Sequence, residues 1–116
     1  MNTDLLKRLC EMPGVPGHEE RVRDLITSEV DGLFDAIETD PMGSLLCRRD
    51  ATKADAPKIM LLCHMDEIGF LVSHIDKNGF IYVLPVGGFD PRNLFSRRVL
   101  VCTDKGDLKG VMNPGG

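Results

Sequence analysis

The amino-acid sequence predicts an α/β sheet domain followed, from about residue 67, by an all-β segment. Three observations lead there. Val22, Leu25, Ile26 and Val30 recur at the spacing of one helical face. Ile59-Met60-Leu61-Leu62-Cys63 is an unbroken apolar run, which is how a strand buried on both faces reads. After Asp66 no helical pattern recurs, and short apolar runs alternate with turn residues. Helices covering a sheet that contains a wholly buried strand define the α/β class.

The elements follow in order. Leu5, Leu6 and Leu9 share a face of a short helix over 4–11, with Thr3 or Asp4 as its cap. Pro13-Gly14-Val15-Pro16-Gly17 breaks that helix. The second helix has Glu19 and Glu20 in its first turn, where the helix dipole favours negative charge, and Gly32 stops it. Strands over 34–39 and 44–48 flank the turn Asp40-Pro41-Met42-Gly43. Residues 50–57 are polar and alanine-rich, a loop before the apolar run. Strands over 68–75 and 80–84 flank Asp76-Lys77-Asn78-Gly79, whose Asn-Gly step signals a hairpin. A second hairpin over 99–103 and 107–112 turns at Asp104-Lys105-Gly106. Between the two, Gly87-Gly88-Phe89-Asp90-Pro91-Arg92 reads as a structural turn, and Arg97-Arg98 as a solvated strand start. The final residues, Asn113-Pro114-Gly115-Gly116, follow a strand with no closing element. A lone buried strand needs neighbours on both sides, so the sequence reads as the beginning of something longer.

Composition narrows the function. A chain of 116 residues is about one domain's worth. Its 14 basic and 18 acidic residues give a formal charge of −4, and the basic residues are scattered. That argues against nucleic acid as a partner. No apolar run approaches the ~20 residues of a membrane helix, and the N-terminus lacks the basic start and apolar stretch of a signal peptide. The expectation is a cytoplasmic protein with no membrane partner. Cys10, Cys47, Cys63 and Cys102 form no C-x-x-C pair, and free thiols are the default in a reducing compartment.

The chemistry concentrates in His64-Met65-Asp66-Glu67. His64 lies just past the carboxyl end of the apolar run, where ligands bind in open α/β sheets. Neutral imidazole is the commonest metal ligand, and such histidines usually give their other N–H to a carboxylate. Asp66, two residues on, is placed to accept it if the chain stays extended. By itself the pattern more often marks a strand-end histidine paired for structural reasons, because such pairs are common and zinc needs at least three protein ligands. Glu67 reads as an exposed acid, His18 and His74 have no carboxylate at a telling spacing, and Cys63 reads as a buried thiol.

Several blocks together resemble the tetrahedral (glutamyl or deblocking type) metalloaminopeptidase family, some of whose members are labelled endoglucanases or cellulases. They are Pro13-Gly14-Val15-Pro16-Gly17-His18-Glu19-Glu20, Asp40-Pro41-Met42-Gly43-Ser44, His64-Met65-Asp66-Glu67-Ile68-Gly69-Phe70 and Val86-Gly87-Gly88-Phe89-Asp90-Pro91-Arg92. The resemblance runs collinearly over nearly the whole chain. It implies the start of a zinc-peptidase α/β sheet domain over 1–66, then over 67–116 the first part of an inserted, β-barrel-like oligomerisation domain. It implies a metal-dependent aminopeptidase that removes N-terminal residues from peptides with two divalent metal ions, zinc or cobalt. It implies a homo-oligomer, built from dimers into a dodecamer. His64 matches the family's first metal-binding histidine, and Asp66 the acid that orients it. The family's other metal ligands and its general base match nothing before Gly116. The chain therefore reads as an N-terminal fragment that binds zinc weakly and does not hydrolyse peptides alone.

Two other readings compete. One is a non-enzymatic assembly module, in which the β-rich stretch from Ile68 to Met112 pairs through open strand edges. The other is a glycoside hydrolase, which needs two carboxylates facing across a sugar. No acids stand in that arrangement in the sequence, and His-x-Asp has no part in such chemistry.

Overall fold

A computed structural model describes residues 2–113. The chain divides between Asp66 and Glu67 into two compact units.

The first unit holds α1 (Thr3–Glu11), α2 (Glu20–Val30), β1 (Ala36–Thr39) and β2 (Leu45–Arg48). Asn2 caps α1, accepting from the Leu5 amide at 3.1 Å. Thr3 and Asp4, the expected caps, are already helical. A cap must precede the first helical residue so that its side chain can accept from a free N–H two or three residues further on. Arg8 donates to Glu29, tying α1 to α2. On α2 the predicted stripe faces inward. Val22 and Leu25, 4% and 8% exposed, are the buried hydrophobic residues among those described, with Ile26 and Val30 half-buried. Gly32, just past the helix, takes the left-handed φ of +72° that ends it without a Cβ penalty.

Strands β1 and β2 pair antiparallel from Ala36 opposite Arg48 to Thr39 opposite Leu45. The turn between them is closed by Asp40, whose Oδ1 accepts from the amides of Met42 and Ser44 at 2.9 and 2.8 Å. Arg23 of α2 donates to the Gly43 carbonyl at 3.0 Å, so the second helix also holds this turn.

The apolar run departs from expectation. Ile59–Cys63 forms no strand and stands open, with Ile59 82% and Leu61 90% exposed. Burial on both faces is a property of neighbours, and no described strand pairs with this segment. The described strands form three separate two-stranded antiparallel sheets, β1-β2, β3-β4 and β5-β6. The chain is thus α/β by its two helices and its strand pairs, without a helix-covered sheet among the described residues.

The second unit holds β3 (Gly69–Ile75), β4 (Ile81–Val86), a short 3-10 helix (Pro91–Leu94), β5 (Arg97–Val101) and β6 (Leu108–Met112). Its described strands make two hairpins rather than a closed barrel. At the first turn Asp76 Oδ1 accepts from the amides of Asn78 and Phe80, both at 2.9 Å, and Gly79 takes φ +88°. The β3–β4 ladder is interrupted once. Val72 faces Val83 and His74 faces Tyr82, leaving Ser73 between them, and its hydroxyl donates to the Tyr82 carbonyl at 3.0 Å. The rings of Phe70 and Phe89 meet at 5.0 Å.

The 3-10 helix was not expected. Asp90 caps it through the Arg92 amide at 3.0 Å, and the same carboxylate takes the Arg92 guanidinium at 2.9 and 2.6 Å. That pairing holds the Asp90 carboxyl below its ordinary range and pushes the Arg92 guanidinium up. Strand β5 begins at Arg97, as the paired arginines suggest, and pairs with β6 from Arg97 opposite Met112 to Val101 opposite Leu108. Pro114-Gly115-Gly116 lies outside the described residues. No helix among the described residues is long and apolar enough to cross a membrane.

Candidate functional site

His64 and Asp66 meet. His64 Nδ1 lies 3.1 Å from Asp66 Oδ1 and 3.1 Å from the Asp66 carbonyl oxygen. Both oxygens are acceptors, so the neutral ring carries its hydrogen on Nδ1 and presents the lone pair of Nε2 elsewhere. The His64 side chain is 85% exposed and that of Asp66 38%, so the pair is anchored at its aspartate end. An oriented imidazole with its second nitrogen open is suited to bind a metal or to carry a proton.

The pair lines a cleft of about 780 Å³ in the first unit, together with Glu19, Asp40 and the Ile59–Cys63 segment. Glu19 Oε1 accepts from the Gly17 amide at 2.7 Å, which fixes the loop entering α2. Asp40 is held below the ordinary carboxylate range, chiefly by the Ser44 amide. The sequence marks Glu19 as a helix-start residue and Asp40 as a turn residue. No spacing rule joins either of them to His64. Their presence in two of the blocks that carried the resemblance was the one available signal.

His74 belongs to the second unit, where its ring stacks obliquely on Tyr82 at 5.7 Å. His18 and Glu67 are exposed. Cys63 lines the same cleft and is exposed, not the buried thiol its apolar run suggested, because no described strand covers that run. Among the described residues no three His, Cys, Asp or Glu side chains converge to hold a metal ion. Zinc takes at least three protein ligands. The donors present do not make up a metal centre. They amount to one oriented imidazole.

Residues 43–115 match the M42 glutamyl aminopeptidase family. The chain is 37% identical over 110 residues to the lysyl aminopeptidase of Pyrococcus furiosus, covering 94% of this chain and 31% of that protein. It is 33% identical over 112 residues to the glutamyl aminopeptidase of Lactococcus lactis, covering 97% and 32%. Among solved structures, the TET1 peptidase of Pyrococcus horikoshii superposes with a TM-score of 0.86 at 35% identity, over 97% of this chain and 33% of that one. A Thermotoga maritima protein titled endoglucanase superposes at 0.82 with 42% identity, over 93% and 33%. This chain belongs to the M42 glutamyl aminopeptidase family. It spans about a third of the length of these relatives.

Proposed function

We propose that these residues are part of a metal-dependent aminopeptidase that removes N-terminal residues from peptides. In this reading His64 is one metal ligand, through Nε2, and Asp66 is the residue that orients it. The observation that carries it is the contact of His64 Nδ1 with Asp66, which leaves one imidazole nitrogen outward beside a cleft. The two aminopeptidases named above support the substrate class. A pair of divalent ions, zinc or cobalt, completes the proposal, with the remaining ligands and the general base contributed by residues other than those described. Residues 1–66 then belong to the catalytic domain and 67–116 to an inserted oligomerisation domain. The break between Asp66 and Glu67 and the purely β pairing after it favour that division. The TET1 peptidase of Pyrococcus horikoshii can assemble into a tetrahedron or a large octahedral shell, which favours a homo-oligomer here too. A cytoplasmic location fits the cysteine pattern.

A glycosidase fits the cleft less well. Asp40 is committed to its own turn, Glu19 to the Gly17 amide and Asp66 to His64, so the described carboxylates of the cleft form no free facing pair.

The test uses the intact natural protein. Release of N-terminal residues from short peptides should require a divalent metal, stop with a chelator and be abolished by His64→Ala. Full activity of His64→Ala would overturn the reading.

A further inference from the structure

We infer that Gly14 is a positioning residue for the His64–Asp66 pair, acting through the backbone of Met65. The inference rests on the reading of that pair given above. From Ile59 to Asp66 only Met65 and Asp66 are half-buried, and the rest of the segment is exposed. The pair is therefore held to its unit at Met65 and Asp66. What stands beside Met65 decides where His64 and Asp66 meet.

Gly14, in the loop between α1 and α2, is buried. A Cβ built on it would lie 2.5 Å from Val22 Cγ2 and 3.9 Å from the Met65 carbonyl oxygen. No carbon–carbon contact is tolerated at 2.5 Å, so any side chain at position 14 forces a displacement. Val22 has little room to give. It is 4% exposed, on a helix pinned at the next residue by Arg23 to Gly43. Relief of that clash displaces the Gly14 loop, where the added Cβ would stand in van der Waals contact with the Met65 carbonyl oxygen. Met65 is the single residue between His64 and Asp66, so tilting its peptide planes changes the separation of the pair. N–H···O bonds run from about 2.7 to 3.2 Å. Nδ1 meets both Asp66 Oδ1 and the Asp66 carbonyl at 3.1 Å, already toward the long end of that range, so a turn of the Met65 peptide planes weakens its hold on both. The absent side chain of Gly14 thus keeps Nδ1 on Asp66 and Nε2 available.

The test reads the His64 tautomer by long-range ¹H–¹⁵N correlation in the full chain labelled in its three histidines, at a pH where the rings are neutral. The unsubstituted chain should show the Nδ1–H form for His64. Gly14→Ala should convert it to the mixed pattern of an unheld imidazole, with His18 and His74 unchanged. Adding Val22→Ala, which removes the obstructing Cγ2, should restore the Nδ1–H form. Should Gly14→Ala not fold, Val22→Ile crowds the same contact by one methyl, and the double variant still reports restoration. An unaltered His64 pattern in folded Gly14→Ala, or in Val22→Ile if that replaces it, overturns the inference. So does a folded double variant that stays mixed. No metal and no turnover enter this readout, so its failure is distinct from failure of the aminopeptidase reading, which His64→Ala activity decides.

Discussion

His64 Nδ1 sits 3.1 Å from Asp66 Oδ1 and 3.1 Å from the Asp66 main-chain carbonyl, so one ring nitrogen has two acceptors on a single residue. Asp66→Ala removes one acceptor and leaves the other. In the metal site proposed above, loss of such a partner should weaken affinity about 10- to 100-fold. The retained carbonyl places this case at the lower end, about tenfold. Competition with a chromogenic chelator in the intact protein measures it, and Asp66→Asn, which keeps an acceptor, should lose less.

The Asp40 carboxylate closes its turn with the amides of Met42 and Ser44, and these bonds lower its pKa below the ordinary aspartate value of 3.8. A carboxyl group with a depressed folded pKa adds stability above its unfolded value and loses it as pH falls through the folded one. Asp40→Asn should therefore be less stable than the parent chain at neutral pH. The difference should shrink below pH 3.8 and vanish beneath the folded pKa. Urea melts of both proteins across that range check the convergence.

Leu25 is one of two buried hydrophobic side chains among the described residues. Leu25→Ala should cost about 2–3 kcal/mol, in the lower part of the range for buried leucines, because the site keeps some exposure. Asn2→Ala should cost about 1 kcal/mol through loss of the α1 cap. Denaturant midpoints at constant slope measure both.

Gly79 turns the β3–β4 hairpin at φ +88°. A Cβ in the left-handed region costs about 1–2 kcal/mol, so Gly79→Ala should destabilise by that amount although its surroundings are open. Hydrogen exchange of the β3 and β4 amides should speed up while that of α2 stays unchanged.

Ile59–Leu62 presents four exposed apolar side chains, with no strand partner among the described residues. Such a segment promotes association of the isolated chain. Leu61→Lys should lower light scattering at a given concentration, whereas the same change at exposed Met42 should have little effect.

What could be read from the sequence followed the range of the forces involved. The turns at Asp40–Gly43 and Asp76–Gly79 were legible because an aspartate, its following amides and a glycine settle them within five residues. The stripe on α2 was legible for the same local reason. The α1 cap was misplaced by one or two residues because Asn2, Thr3 and Asp4 all have cap chemistry, and only the helix start chooses among them. The 3-10 helix is too short to leave a periodic trace. The apolar run at Ile59–Cys63 was misread because its composition shows what it could bury but not which neighbours the described residues offer it. The contact of His64 with Asp66 was legible at a spacing of two residues. Glu19 and Asp40 were not, because folding alone brings them to the cleft.

The interruption in the β3–β4 ladder bears on which changes of chain length this hairpin can absorb. Ser73 has no opposite number, since Val72 and His74 face the consecutive residues Val83 and Tyr82. Elsewhere in β3, removing one residue moves every later side chain to the other face of the ribbon. Removing Ser73 instead leaves an uninterrupted ladder with all partners unchanged. Position 73 is thus the point in the strand where a codon can be lost in evolution without scrambling the pairing.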